Sequence, residues 1–485
     1  MSISSALSNA LSGLTAASRA AQLVSSNVAN VATDGYGRRE LELSARATTG
    51  AGDGVQIDGI RRVVDAALLQ DRRVAEAAQG EAELISRFFA DAADIFGRPD
   101  DPGALSARVD RFETSLIDAA SRPDSSARLS AVVNAAVDLT EGLKTAADGI
   151  QTLRERADTT IGQTVTSLNA DLQRVVDLND AILQARGSGQ DYPALLDQRQ
   201  VVIDRIAKVV PLTSIPREND TVALYTTGGT RLVDLTAAEI EFNATSPITA
   251  DMSLASGALS GLSIDGQPLR LSGGNSAIAG GTLAALFQIR DELAPAAQGD
   301  LDALAGDLVS RFEDPTLDPT RAPGAPGIFT DNGAAFDPLN TEGLAQRISV
   351  NDLVRPEAGG DLWRIRDGLG AVAPGPAGAS ALLSALQSTL AEARTPTDPA
   401  LGTAARSFAG LVTERLSTLT QSKVDSESDL AFDAARYDAL RSRELANGVD
   451  TDQEMQKLLL IEQAYAANAQ VVRTASQLID QLLEI

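Results

Sequence analysis

The sequence predicts an α+β fold that is mainly α-helical and elongated, with nested, discontinuous domains. Three observations predict it. Both ends of the chain carry apolar residues at heptad spacing, long helical patterns lie inside these ends, and short alternating segments with glycine turns are confined to the middle. A chain that leaves and returns through helical layers places both termini at one end of the molecule.

The first segment, from Ile3 to Val31, has the spacing of a coiled-coil seam, with steps that alternate between four and three residues. The seam residues are apolar or small, and they are Ile3, Leu7, Ala10, Leu14, Ala17, Ala21, Val24, Val28 and Val31. A seam rich in alanine buries little area, so we expect this helix to be marginal on its own. Gly35 is a natural stop for it.

The interior of the chain reads as two helical blocks around β-structure. Helical periodicity covers 65–186, with breaks near Pro99 and Pro123 and one long helix over 151–186. Strands are expected between 211 and 271, including a hairpin with strands over 221–225 and 230–235. The remaining expected elements are a helix over 282–312, a loop over 314–338, strand-like pieces near Ile348 and Trp363, and helices over 379–445.

The last segment mirrors the first. Thr451 and Glu454 have the spacing of a capping box, which predicts a helix start. The seam that follows is Leu458, Ile461, Tyr465, Asn468, Val472, Ala475, Ile479 and Leu482. Asn468 is the polar member, and a buried asparagine fixes register at some cost in stability. Each seam needs a partner, either the other end or a neighbouring copy, although periodicity alone equally fits core helices of a bundle.

These patterns divide the chain into three predicted domains. Residues 1–35 with 446–485 form a terminal helical domain that is suited to coiled-coil packing. Residues 36–312 with 376–445 form a middle domain of long helices and β-hairpins. Residues 313–375 form a small β-rich outer insert, in which Trp363 is expected to occupy the core.

Composition narrows the function classes. The chain has no histidine and no cysteine, which removes the commonest general base, the usual zinc ligands and disulfides. Its net charge is −25, which disfavours nucleic acid and anionic membranes as partners. The first residues lack the basic region of a secretory signal peptide and an A-x-A cleavage site after an apolar core. We expect no enzyme activity, no cofactor and no metal site.

Paired motifs at the two ends carry a family resemblance. The segment 26–36, with Asn27, Asn30, Gly35 and Tyr36, resembles the rod-and-hook signature of flagellar axial proteins, although Asp34 stands where that signature usually has proline. The run over 448–469 is similar to the matching C-terminal signature. Four further stretches, 59–65, 123–128, 195–199 and 280–291, resemble the flagellar hook-associated protein 1 family.

The resemblance implies a structural role. A member of that family is expected to be secreted by the flagellar type III system and to join hook to filament at the hook tip. The implied partners are copies of itself in a junction ring, the hook protein, the second hook-associated protein and an export chaperone. Leu458, Ile461 and Tyr465 are the candidate chaperone-binding residues, on an apolar helix face that needs cover before export.

Some interpretations remain open at this point. Asn27 and Asn30 are expected to have a structural turn role, and Asp197 with Arg199 an ion pair within one domain. The alternatives to a junction protein are a hook or distal rod protein, a secreted adhesin or enzyme displayed on the insert, and a cytoplasmic coiled-coil scaffold.

Overall fold

The computed structural model describes residues 3–48, 51–98, 101–270 and 278–483. The helices are α1 (Ile3–Ala29), α2 (Ala66–Phe96), α3 (Leu105–Ser121), α4 (Ser126–Gly187), α5 (Pro193–Val209), α6 (Gly281–Gln288), α7 (Ala294–Phe312), α8 (Leu344–Arg347), α9 (Arg364–Asp367), α10 (Ala381–Ala391), α11 (Phe408–Ala446) and α12 (Thr451–Leu483). A π-helical turn, Ile289–Leu293, joins α6 to α7.

The strands are short apart from one hairpin. They are β1 (Arg38–Thr48), β2 (Ala51–Val63), β3 (Leu212–Pro216), β4 (Val222–Thr226), β5 (Arg231–Val233), β6 (Ile240–Glu241), β7 (Ser263–Ile264), β8 (Gln267–Pro268), β9 (Phe329–Asp331) and β10 (Ile348–Val350). Within the described residues they form four separate antiparallel sheets. The predicted mainly helical α+β fold is therefore confirmed. The predicted break at Pro99 and the end of the strand region at Leu271 lie outside the described residues.

Helix α4 is the longest element, and the other helices of the middle region pack along it. Its 62 residues give a length of about 93 Å at 1.5 Å per residue. The Ser125 side chain caps it by accepting a hydrogen bond from the backbone N–H of Arg128. The helix predicted over 151–186 is thus the second half of a longer one. Two of its glycines lie against neighbouring helices, Gly142 at Arg108 and Gly149 at Ile95, so the close packing explains why they are tolerated.

One continuous hydrophobic core surrounds α4. At its centre the rings of Phe112, Phe312 and Phe329 meet, with centroids 5.1–6.0 Å apart. Phe329 belongs to the predicted outer insert, and so do buried Leu344, Ile348 and Ile365. Residues 313–375 thus contribute side chains to the same core as α3, α4 and α7, and the domain boundaries stay a prediction.

The predicted insert contains less strand than its pattern indicates. Its described β-structure is the pair β9–β10, three residues in each strand. The strand expected near Trp363 is wrong, because Trp363 has helical backbone angles and directly precedes α9. Its ring is half-buried beneath the guanidinium of Arg364, 4.7 Å from the ring centroid, rather than at the centre of a β core. A single turn of helix and a single strand are too short to be distinguished by periodicity.

The predicted hairpin over 221–235 is confirmed as β4 and β5, in which Leu224 lies opposite Val233. The helices predicted over 379–445 are interrupted. Helix α10 ends at Ala391, and α11 begins at Phe408, where Ser407 caps it by accepting from the backbone N–H of Gly410.

The two terminal helices lie apart from the main core. Helix α1 packs against α12, and the β1–β2 hairpin packs along α1, while α11 packs along α2. The residues of the main core include none from the described parts of α1 or α12. No described helix has an apolar stretch long enough to cross a lipid bilayer.

Candidate assembly interface

The predicted seams face each other where α1 and α12 pack together. On α1, Ala10, Ala17 and Val24 are buried, and on α12 Ala475 is buried. The half-buried seam residues are Ile3, Leu7, Leu14, Ala21 and Val28 on α1 and Leu458, Ile461, Asn468, Val472 and Ile479 on α12. The contact is therefore an apolar seam that is only partly covered by this pairing.

Three predicted seam residues lie outside the covered contact. Val31 is 43% exposed and follows the end of α1 at Ala29, because its own backbone N–H bonds to the carbonyl of Val28, three residues back, and no longer four residues back as in an α-helix. Tyr465 and Leu482 are 48% and 62% exposed. The contact between the two ends thus leaves out Val31 and Leu482 at the ends of their segments and also Tyr465 within α12.

The register of the pair is marked by Gly13 and Asn468. A Cβ atom at Gly13 would lie 2.8 Å from Nδ2 and 2.9 Å from Cγ of Asn468, closer than real contacts allow. The Asn468 Nδ2 donates to the backbone carbonyl of Ala464 at 3.0 Å, within its own helix. The polar seam residue therefore fits against the one α1 position that has no side chain, a pairing that the α12 sequence alone does not reveal.

Asn27, buried at 1% exposure, connects four segments of the chain. Its Nδ2 donates to Glu454 Oε2 at 2.9 Å and to the backbone carbonyl of Arg39 at 3.0 Å. Its Oδ1 accepts from the Tyr36 hydroxyl at 2.9 Å and from the backbone N–H of Arg39 at 3.0 Å. All four bonding positions of the amide are used, so this side chain joins α1, the turn after it, the hairpin and α12.

Glu454 does not act as the predicted capping residue. It is 1% exposed, and its Oε1 accepts from Lys457 Nζ at 2.7 Å while Oε2 accepts from Asn27. Asp450 caps α12 instead, because its Oδ1 accepts from the backbone N–H groups of Asp452 and Gln453 at 2.9 and 3.1 Å. The capping-box prediction is therefore wrong: the carboxylate is used for a contact between the two ends of the chain.

The turn between α1 and the hairpin has a specific backbone. Gly35 has φ +75°, and a Cβ there would lie 2.5 Å from Cγ2 of Val201 in α5. Asn30 bonds only locally, with Nδ2 donating to the Ser26 carbonyl at 2.8 Å and Oδ1 accepting from Thr33 at 3.3 Å. A glycine is required at position 35 both for the left-handed backbone and for the approach to α5.

Asp197 on α5 joins this turn to the middle of the molecule. It accepts from Arg62 Nε at 2.7 Å, from Arg39 Nη2 at 2.8 Å and from the backbone N–H of Gly37 at 3.0 Å. The predicted pairing of Asp197 with Arg199 is wrong, because two residues apart on a helix they point in different directions. Arg199 bonds instead to Asn179 and to the backbone of Asp220.

An ionic cluster beside the turn joins α2, α5 and α11. Arg72 is 2% exposed and lies 2.8 Å from both Asp204 and Glu444 and 2.5 Å from Glu76. One buried guanidinium with three carboxylates fixes these helices in a single relative position. Together with Asp197, it makes the base of the terminal pair a closely connected region.

Helix α12 also presents a second apolar stripe, which lies beside the seam that contacts α1. Its members recur in steps of three and four, and the large apolar ones are Leu460, Val471 and Leu478, exposed by 65%, 45% and 44%. Met455, Leu459 and Leu482 extend this exposed surface. The sequence does indicate this stripe, because apolar and small residues of α12 have heptad spacing in two offset frames. The prediction of a seam uses only the frame that begins at Leu458. An apolar stripe of this kind on a soluble chain marks a contact surface.

This chain has matches among protein-family models, among known proteins and among solved structures. The family model described as "Flagellar hook-associated protein FlgK helical domain" matches residues 90–325, and "Flagellar basal body rod FlgEFG protein C-terminal" matches residues 446–485. The flagellar hook-associated protein 1 of Salmonella typhimurium is 28% identical over 48% of this chain and 43% of its own length. That of Bacillus subtilis is 22% identical over 98% of this chain and 97% of its own length.

The match spans less than half of the Salmonella relative. Among solved structures, the flagellar hook junction protein FlgK from Burkholderia pseudomallei matches with a TM-score of 0.44 and 18% identity, over 54% of this chain and 47% of that one.

Proposed function

The chain belongs to the flagellar hook-associated protein 1 family, and from this membership we propose that it is a structural protein of the bacterial flagellum which joins the hook to the filament. It reaches the hook tip through the flagellar type III export system and assembles there into a ring of copies. The hook protein lies on one side of this ring and the second hook-associated protein on the other.

The observation that carries the proposal is the state of the terminal pair. The ends of the chain are brought together by α1 and α12, yet their seam residues are mostly half-buried, and α12 keeps a second stripe exposed. Helix α12 still exposes an apolar stripe when it is packed against α1 of the same chain, and such a stripe indicates a further partner. Packing against neighbouring copies provides that partner, and it converts a marginal pair into a stable layer.

The proposed export chaperone has a structural condition to meet. Of its three candidate contacts, Leu458 and Ile461 are half-buried in the seam and only Tyr465 is largely exposed. A chaperone that covers Leu458 and Ile461 must therefore bind α12 after it has separated from α1. Chaperone binding and the α1–α12 pair are then mutually exclusive, which fits a chain that is kept unfolded for export and pairs its ends afterwards.

Deleting the gene and examining the cells by electron microscopy tests the proposal. A junction protein leaves intact hooks without filaments, and reintroducing this chain restores filaments. Missing hooks would show instead a hook or distal rod protein. Full-length filaments on deletion cells, or a protein that stays inside the cell, would overturn the flagellar junction role.

Exposed residues of α12 allow a sharper version of the same experiment. Leu460→Ser with Leu478→Ser alters the second stripe and leaves the residues facing α1 in place. The matched control is Leu254→Ser, at a residue 42% exposed outside the helical ends. We expect the α12 variant to be secreted without supporting filaments, and the control to support them.

A further inference from the structure

A cavity of about 400 Å³ lies between the beginning of α2, helix α5 and the β3–β4 hairpin. Its floor is apolar, formed by residues such as Leu69 and Ile203. Its charged lining is one acidic residue, Asp220, and four arginines, which are Arg62, Arg73, Arg199 and Arg217. In a chain of net charge −25, this is an unusual local excess of guanidinium groups.

Three of the four arginines are paired with a carboxylate, although Asp197 is shared with Arg39 and Asp204 with Arg72. The pairs are Arg62 with Asp197 at 2.7 Å, Arg73 with Asp204 at 2.6 Å, and Arg217 with Asp234 at 3.1 Å. Asp220 is also occupied, because it pairs with Arg186 at 2.6 Å and accepts from the Tyr192 hydroxyl at 2.7 Å. Arg199 is therefore the arginine of this lining that has no ion pair with a carboxylate within the described residues.

Arg199 contacts only neutral acceptors within the described residues. Its Nη1 donates to Asn179 Oδ1 and to the backbone carbonyl of Asp220, both at 2.7 Å. Both bonds leave from the same nitrogen, so Nε and Nη2 are left for a ligand in the cavity. Burial and the neighbouring Arg62 lower the pKa of Arg199 to about 10, although the Asp220 carboxylate acts in the opposite direction, and the guanidinium is still charged at neutral pH. Asp220 is near enough to be felt, but its carboxylate bonds to Arg186 and Tyr192, so Arg199 has no carboxylate in direct contact within the described residues. A carboxylate is the best partner for a largely desolvated guanidinium.

We propose that this arginine cavity binds a carboxylate side chain from a second copy of the chain, so that Arg199 gains its counter-ion on assembly. The proposal rests on the proposed function, in which copies pack side by side. A volume of about 400 Å³ accommodates an aspartate or glutamate side chain with room for its backbone.

Within the second copy, charge complementarity favours a cluster of acidic residues as the source, and we take it to be the one on α11. Helix α11 carries exposed acidic residues over 425–438, including Asp429 and Asp438. Within the part of the chain that the structure describes, neither of these two carboxylates forms an ion pair or a hydrogen bond, whereas Asp425 accepts from Gln421 and Glu427 lies 3.8 Å from Lys423. Asp429 and Asp438 are therefore two exposed carboxylates that remain available to an arginine cavity.

Self-association of the full chain, measured by sedimentation velocity over a range of concentrations, tests the cavity. Arg199→Gln removes the charge but keeps an N–H donor for Asn179, and we expect it to weaken association about tenfold. The matched control is Arg205→Gln. Arg205 lies on the same helix but outside the cavity, and it pairs with Asp171 at 2.5 Å. Association of Arg199→Gln that equals that of the unaltered chain overturns the proposal.

A second pair of variants tests the source. Asp429→Asn with Asp438→Asn should weaken association to the same degree, and should add nothing further to Arg199→Gln, because residues in one contact are not additive. If the acidic variant associates normally while Arg199→Gln does not, α11 is excluded as the source and the proposal fails in that part.

Calorimetric titration with citrate, a soluble polycarboxylate, separates this inference from the proposed function. Citrate binding to the unaltered chain that is lost in Arg199→Gln supports the carboxylate site. If the unaltered chain binds citrate but does not self-associate, the site stands and the proposed contact between copies fails. Absence of citrate binding together with absence of an effect of Arg199→Gln on association overturns the site and leaves the junction role standing.

Discussion

Asn27 Nδ2 donates a hydrogen bond to Glu454 Oε2 over 2.9 Å, although the two residues are 427 positions apart in the chain. Both side chains are about 1% exposed. Because the Asn27 amide also receives the Tyr36 hydroxyl and the Arg39 backbone, this single contact connects the pairing of the two ends to the turn that leads into the hairpin. It lies at the base of the terminal pair, where α1 ends and α12 begins.

Replacing Asn27 by alanine should release the terminal helices from each other. The change removes the partner of Glu454 Oε2 and the Asn27 acceptor of the Arg39 backbone N–H, while Oε1 keeps its bond to Lys457, and we expect this to cost about 1–3 kcal/mol. We expect faster amide hydrogen exchange throughout α1 and α12 and little change in α4, whose core is separate.

Asn30→Ala is the matched control for that experiment. Asn30 lies one turn further along and bonds only to Ser26 and Thr33. Its removal should raise exchange near the turn alone. Equal exchange in the two variants would show that the Asn27–Glu454 contact does not hold the ends together.

Gly13→Ala should have opposite effects in two backgrounds. Alanine favours a helix by about 1 kcal/mol over glycine, so α1 by itself gains stability. In the paired state the new Cβ meets the Asn468 side chain at 2.8 Å, which pushes the helices apart. We expect hydrogen exchange in α1 to increase for Gly13→Ala alone and to decrease when Asn468→Ala is also present. A protective effect in both backgrounds would mean that this pair does not set the register.

The terminal helices could be predicted because the residues on the buried face of a helix recur every three or four positions, and this period is visible within one segment of sequence. Val24, Leu458 and Ile461 recur at that period, and each lies in the α1–α12 contact. The partner of each residue could not be predicted in the same way. Glu454 has the local spacing of a capping box, but a buried amide from the other end of the chain competes for it, and a local pattern contains no information on that amide.

The same limit applies to the middle of the molecule. The hairpin of β4 and β5 was predictable, since alternation and a glycine turn are local signals. The sequence pattern predicts a strand near Trp363, but this residue directly precedes the four-residue helix α9. So short a helix has no measurable period in the sequence. Arg199 was assigned to Asp197 from proximity in sequence, whereas their real partners come from α4, the hairpin and the loop at Asp220.

Asp197→Asn should reduce the stability of the whole fold. The carboxylate is shared by Arg39 and Arg62, and the three side chains are 13–19% exposed. Removing it leaves two guanidinium groups close together without a counter-ion, so we expect a loss of about 3 kcal/mol in the free energy of unfolding, as for other largely buried pairs.

Urea unfolding measures this loss, with Asp171→Asn as its control. Asp171 pairs with Arg205 at the surface, where that arginine side chain is 53% exposed. An exposed pair contributes less than about 1 kcal/mol. If both variants lose the same free energy, Asp197 is no more than a surface ion-pair partner.

Stability should depend on pH through Asp302 in α7. This carboxylate is 5% exposed and accepts from the backbone N–H groups of Gly343 and Ala345, both at 2.8 Å. Burial raises its pKa from 3.8 to about 6, although those N–H groups act in the opposite direction. Because the folded chain binds the proton more readily than the unfolded chain, the contribution of Asp302 to stability is greatest below about pH 4 and is lost as the pH rises through about 6.

Comparing the unaltered chain with Asp302→Asn at each pH isolates this contribution from the other carboxylates. A pKa difference of about two units corresponds to about 3 kcal/mol. We therefore expect the free energy of unfolding of the unaltered chain, relative to Asp302→Asn, to fall by up to that amount between pH 4 and pH 7. A difference that stays constant over this range, or that grows with pH, would show that the pKa of Asp302 in the folded chain is not raised above its value in the unfolded chain.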